Sequence, residues 1–270
     1  MPIPALPFLT PKVAVVEVYG TIGAAVRTQQ YVPALKALRE DRRVRAVVLD
    51  IDSPGGSATA TDYLYTELRK LAAKKPVVAF IRGIGASGAY FLAVGARRII
   101  ATRSSVVGSI GVITVRPVAQ DLLTKIGVRV DVIKSGPLKG MGLPFVAPTP
   151  EETEKDRQMV MNFFDHFVRV VAEGRGVPEE TVRGWATGEV YWGAEALERG
   201  MVDEIGDLDR ATELAAQLAG IRERVSRVRP RKPALLQRVM GQASRTLARS
   251  VVMEIERALA PRIEYRWPGR

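Results

Sequence analysis

Apolar positions along the chain follow two alternating rhythms. Continuous β-branched runs occur at Lys12–Tyr19 (KVAVVEVY), Arg45–Ile51 (RAVVLDI) and Pro76–Ile81 (PVVAFI), each followed by a turn or a glycine. Runs of that length predict buried strands. Between them the spacing changes to three and four. Val32, Leu35 and Leu38 in Tyr31–Asp41, and Tyr63, Leu64, Leu68 and Leu71 in Thr59–Lys74, predict amphipathic helices. An apolar small-residue helix is expected over Ala89–Ala96 and a short strand over Arg98–Ala101. Ile110–Val115 and Val128–Ile133 read as further strands. Glu151–Gly174 reads as a long helix with Met159, Val160, Phe163, Phe164, Phe167 and Val170 on its apolar face. Residues 178–220 read as short helices and glycine turns. Strands that alternate with helices of this length predict an α/β chain with a mainly parallel sheet and right-handed crossovers.

After residue 220 the pattern shifts. Ile221–Pro233 is rich in Arg and Pro and reads as a linker. In Ala234–Ala260, Leu235, Leu236, Val239, Met240, Ala243, Leu247, Val251, Ile255 and Leu259 keep helical spacing among arginines, which predicts a basic amphipathic helix. The division expected is residues 1–220 and residues 221–270. Charge follows it. Residues 1–220 hold 27 Lys+Arg against 25 Asp+Glu, and residues 221–270 hold 13 against 4, so +9 of the net +11 lies in the tail. Such a tail can meet anionic lipid, an acidic partner or nucleic acid, or be a solvated arm. Packing against a neighbouring protomer or gating of a substrate chamber is preferred, because the apolar stripe is long enough to need burial. Peripheral membrane contact ranks below it. Nucleic acid is not expected, since no recognition motif accompanies the charge. No apolar run reaches the ~18–20 residues of a membrane span. Met1–Pro11 lacks the charged start of a signal peptide. The expected location is cytoplasmic or peripheral to a membrane.

The composition narrows the chemistry. The 270 residues include no cysteine and one histidine, His166. Disulfide scaffolds, thiolate metal sites, cysteine nucleophiles and His clusters are thereby excluded. Neither a metal nor an organic cofactor is expected.

Two loops follow strands, where α/β folds place ligands. Ser53-Pro54-Gly55-Gly56-Ser57 can bring backbone N–H groups close to a ligand, as an oxyanion site requires, or can be a plain turn. Gly85-Ala86-Ser87-Gly88-Ala89-Tyr90 sets a serine at a strand-to-helix turn. There Ser87 is either an exposed nucleophile or a helix N-cap. A serine nucleophile needs a base. His166, between Phe163, Phe164 and Phe167, reads as a structural or surface residue. Lysine is the remaining base, active when neutral, and Lys134 and Lys139 lie in the Gly/Pro-containing run Ile133–Gly140.

Taken together, these motifs resemble the signal peptide peptidase A serine proteases, short form, which have a Clp-protease/crotonase-like fold. The resemblance spans roughly residues 12–215. It rests on Val13–Ile22, Val44–Gly56, Lys75–Tyr90, Thr102–Ile113, the Lys-Ser-Gly-x-x-Lys run at 134–139, and Gly188–Asp207. It implies Ser87 as nucleophile and Lys139 as general base. It also implies Ser109 as the serine that orients the lysine, and the N–H groups of Gly56 and Gly88 as the oxyanion hole. It implies a homo-oligomer whose active sites form where protomers meet. The chain departs from the family pattern at Gly140, Ala89 and Asp52, and has no transmembrane anchor before the first strand.

The expected function is a serine endopeptidase with a Ser/Lys dyad. Its expected substrates are apolar peptides, such as remnant signal peptides or misfolded segments. Two competing readings are a crotonase-like acyl-CoA enzyme and a scaffold that has lost catalysis.

Overall fold

The computed structural model describes residues 10–228. In chain order they form β1 (Lys12–Tyr19), α1 (Thr28–Glu40), β2 (Val44–Ser53), α2 (Ala58–Ala72), β3 (Val77–Ala86), α3 (Gly88–Ala93), β4 (Arg98–Ala101) and β5 (Val106–Gly108). There follow α4 (Gln120–Lys125), a short 3-10 helix (Pro137–Gly140), α5 (Pro150–Arg175), α6 (Glu179–Trp185), β6 (Val190–Trp192), α7 (Gly193–Glu198), β7 (Glu204–Ile205), α8 (Leu208–Ala219) and β8 (Val225–Val228). The sheet runs β6-β5-β3-β2-β1-β8, and β4 joins β3 to β7. All pairings are parallel except β5 with β6. This is a Clp protease-like α/β domain.

β1, β2 and β3 are buried on both faces, which is why they read as unbroken apolar runs. Ala14, Val16, Val47, Leu49, Ala79 and Ile81 face one core, with α1, α2, α3 and α5. Val13, Val15, Ala46, Val48, Val78 and Phe80 face the other, closed by Ala211, Ala215 and Ala216 of α8. On the α8 side, buried Asp50 receives two bonds from Arg82, at 3.2 and 2.7 Å, and a third from the Tyr19 hydroxyl. Burial and the Asp50 carboxylate push the Tyr19 hydroxyl up to about 12. This cluster ties β1, β2 and β3 together shortly before the ends from which the glycine loops emerge. β3 also changes partner along its length. Val78–Ile81 pair with β4, and Ile84–Ala86 pair with β5.

Two expected strands do not form. Ile110–Val115 and Val128–Ile133 lie in an irregular arm, and the strand of that region is β5, at 106–108. β5 ends where Ser109 turns the chain with φ 49°, and β6 rather than the following residues pairs with its far side. The arm is poorly covered: Ile113 is 86% and Ile133 96% exposed, and no residue of α4 is buried. A second difference lies in the Arg/Pro-rich stretch expected to be linker. Val225–Val228 pair with Val13–Val16 as edge strand β8. The amphipathic helix expected over 234–260 lies outside the described residues. No helix among the described residues is long and apolar enough to cross a membrane.

Candidate active site

Three loops meet at the carboxyl ends of β2, β3 and β5. The first two are locked together by the absence of side chains. A Cβ on Gly55 would stand 2.6 Å from the Gly88 nitrogen and 2.8 Å from Ser87 Cβ. A Cβ on Gly56 would stand 2.2 Å from the Ile22 carbonyl oxygen. Ser53 Oγ accepts the Gly55 N–H at 3.1 Å and holds the loop from within.

Ser87 has φ 52° and ψ −125°. A left-handed φ at a non-glycine residue costs about 1–3 kcal/mol and persists only where its surroundings impose it. Here they do. The Ser87 N–H donates to the Gly108 carbonyl at 2.7 Å, and its carbonyl accepts from Phe91 at 3.0 Å. Below it α3 is buried along its whole length, and the Tyr90 hydroxyl donates to the Met201 carbonyl at 2.8 Å. Ser87 occupies the N-cap position of α3, yet its side chain makes no capping bond. The N-cap reading of this serine is therefore not the one the fold adopts. Its Oγ is left for other chemistry.

Ser109 follows β5 with φ 49°, a second serine in the left-handed region. Its N–H donates to the Glu189 carbonyl at 2.7 Å. Among the described residues, the N–H groups of Gly56 and Gly88 find no backbone acceptor. That of Gly88 opens α3, where the first-turn donors have no partner within the helix.

Ser87, Ser109, Gly56 and Gly88 line one cleft of about 770 Å³. Its far wall is apolar: Phe91 with Val160, Met161, Phe163, Phe164 and Phe167 of α5. The aromatic face expected of the long helix therefore belongs partly to this cleft rather than to the core. Two ionisable residues also line it: Asp62 of α2, which sequence reasoning did not single out, and His166 of α5, which it read as a structural or surface residue.

Lys139 is not brought to Ser87 within the chain. It sits exposed on the 3-10 helix in the arm, outside the lining of the cleft. Lys134 is engaged elsewhere. Its ammonium donates to the Pro137 carbonyl at 3.1 Å and lies 3.5 Å from the buried Glu152. Glu152 closes the capping box of α5 with Thr149. The Thr149 N–H, opposed by burial and assisted by Lys134, holds its carboxyl below the usual range. Of the two lysines in the run, Lys139 is the one without such a tie.

The profile of Peptidase family S49 matches residues 69–222, and that of Clp protease matches residues 12–121. A putative protease of Synechocystis is 38% identical over 213 residues, covering 78% of this chain and 75% of that protein. A putative signal peptide peptidase SppA of Enterococcus faecium is 38% identical over 66% of this chain and 52% of its own length. The chloroplastic serine protease SPPA of Arabidopsis thaliana is 34% identical, and the chain spans 30% of it. Among solved structures, the 1510-N membrane-bound stomatin-specific protease matches with TM-score 0.55 at 16% identity, over 82% of this chain and 99% of that one. That structure speaks for the fold alone. Fold, cleft and sequence relatives agree: the chain belongs to peptidase family S49, a family of serine proteases that includes the signal peptide peptidases.

Proposed function

We propose that the chain is a serine endopeptidase in which Ser87 is the nucleophile and Lys139 the general base. The observation that carries this reading is the strained, uncapped Ser87 between the N–H groups of Gly56 and Gly88. Lys139, as a free amine, takes the proton from Ser87 Oγ. Oγ attacks the peptide carbonyl, and the two N–H groups hold the oxyanion. The C–N bond breaks as the leaving amine takes a proton from the lysine. Water then attacks the acyl-enzyme and releases the carboxylic acid and Ser87. Ser109 orients the lysine.

A neighbouring copy supplies Lys139. Two observations support this: the lysine is absent from the lining of its own chain's cleft, and the arm carrying it exposes Ile113, Val115 and Ile133. Burial of such an apolar arm against another copy would bring a lysine to each cleft. The aromatic wall suits an extended apolar peptide, such as a remnant signal peptide or misfolded segment.

A fluorophosphonate probe tests the assignment. Covalent labelling at Ser87, lost in Ser87→Ala, supports it. Hydrolysis of peptide by a protein that does not label at Ser87 overturns it. Because a lysine base works only as the free amine, the rate rises toward alkaline pH. An optimum near pH 5 contradicts the mechanism.

A further inference from the structure

The α5 wall of the cleft is apolar but for one feature. Asp62 and His166 are the only ionisable side chains among the residues described as lining the cleft, and they are bonded to each other at 2.8 Å between Nε2 and Oδ1. They come from different helices and are 104 positions apart in sequence. Both side chains are only half withdrawn from solvent, at 48% exposure for Asp62 and 42% for His166. The imidazole is held by its second contact, a tilted packing on Phe91 with ring centroids 5.6 Å apart. The neighbouring charges on α5 and α6 are already matched, Asp165 with Arg183 at 2.9 Å and Arg183 with Glu179 at 3.7 Å. Asp62 follows Thr61, the residue that a Cβ on Gly88 would strike at 2.5 Å, so the carboxylate stands on the same helical turn that backs the oxyanion loop.

A carboxylate has two oxygens, and the bond to His166 uses one of them. The carboxylate thus brings its negative charge and an uncommitted acceptor oxygen to an aromatic wall. That combination fits a long apolar stem ending in a cation, as in lysine or arginine. The stem packs on the phenylalanines while the head reaches the free oxygen.

We infer that Asp62, positioned by His166, is a specificity determinant that favours peptides with a basic side chain opposite it and disfavours acidic ones. The inference rests on the peptidase reading of this cleft. The test uses the full chain and fluorogenic apolar peptides, with Leu, Lys or Glu placed in turn at each of four positions N-terminal to the scissile bond. At one position the wild type prefers Lys over Glu by about tenfold in kcat/KM, the scale of a hydrogen bond to a charged group. Asp62→Asn brings that ratio to within about twofold of unity, and Asp62→Lys inverts it. The ratio is taken within one preparation, so a variant that folds in lower yield still reports it. A Lys/Glu ratio left unchanged by Asp62→Lys at every position overturns the inference and leaves the pair a tie between α2 and α5. A protein that neither cleaves any peptide nor labels at Ser87 overturns the peptidase reading itself, and this inference with it.

Discussion

The proposed nucleophile and the proposed base belong to two very different kinds of structure. Ser87 stands where two buried strands and a buried helix meet, its own N–H and carbonyl are hydrogen-bonded, and the adjoining glycine loop packs too closely to admit a Cβ. Lys139 stands on an exposed 3-10 helix in an arm of about forty residues, where Ile113, Val115, Ile126 and Ile133 face outward. The contrast teaches that the fold of one chain completes only half of the proposed chemistry. The loops proposed to hold the oxyanion are held in place by the chain that carries them. The arm lacks a core, and its apolar side chains gain one only by meeting something else.

The largest effect expected is on the dyad. Ser87→Ala and Lys139→Ala should each lower peptide hydrolysis roughly 10⁴-fold or more, because groups that act as a unit fail together. Thermal unfolding should show both variants folded. Mixing the two and reassembling them should recover part of the rate, since an intact serine from one copy can meet an intact lysine from the other. No recovery, in a sample shown to have exchanged subunits, would place both groups in a single chain.

Next comes a pair of glycines that sharpens the same comparison. Gly56→Ala should reduce kcat by about 10²–10³-fold, because the loop must shift away from Ile22 and carries an oxyanion donor with it. Gly136→Ala, in the arm, meets nothing within 4 Å and has an extended φ of −170°. Its melting temperature should match the wild type. A third effect separates assembly from folding. Ile133→Asp, at a side chain 96% exposed, should change chain stability by no more than about 0.5 kcal/mol. It should nonetheless shift the sedimentation coefficient toward smaller species.

The smallest effect concerns acid. Glu152 is held below the usual carboxylate range by the Thr149 N–H, against the opposing effect of burial and with help from Lys134. A carboxyl whose folded value is depressed stabilises the fold above the ordinary range and loses that contribution as pH falls through the folded value. The start of α5, where the arm rejoins the domain, should therefore loosen on acidification. Amide protection in its first turn, taken relative to the intrinsic exchange rate at each pH, should fall at pH 3 compared with pH 7, and Glu152→Gln should remove most of that difference.

The parts of this molecule that were legible in its sequence share a physical trait. β1 to β4, α1, α2 and α5 were visible because burial on one or both faces writes a local rhythm into the chain. β1 and β4 were read to the residue. The family motifs located Ser87, Ser109, Gly56 and Gly88, and the fold gathers all four into one cleft. What escaped depends on distant partners. β5 has only three residues and β8 is no more than half-buried, so neither carries the apolar run that marked β4, and each exists through the strand beside it. The arm has strand-like apolar runs that pair with no strand of the sheet. Asp62 and His166 leave no local signal, because they are 104 positions apart and meet only through the tertiary fold.

Ser87 and Ser109 both hold a backbone angle that glycine would accept without penalty. Replacing either CH2OH side chain by a hydrogen would remove that strain, offset in part by the extra chain entropy that glycine loses on folding. Under the proposed mechanism the two strained backbones are what present a pair of hydroxyls to one cleft, and the fold holds that strain for the sake of the chemistry.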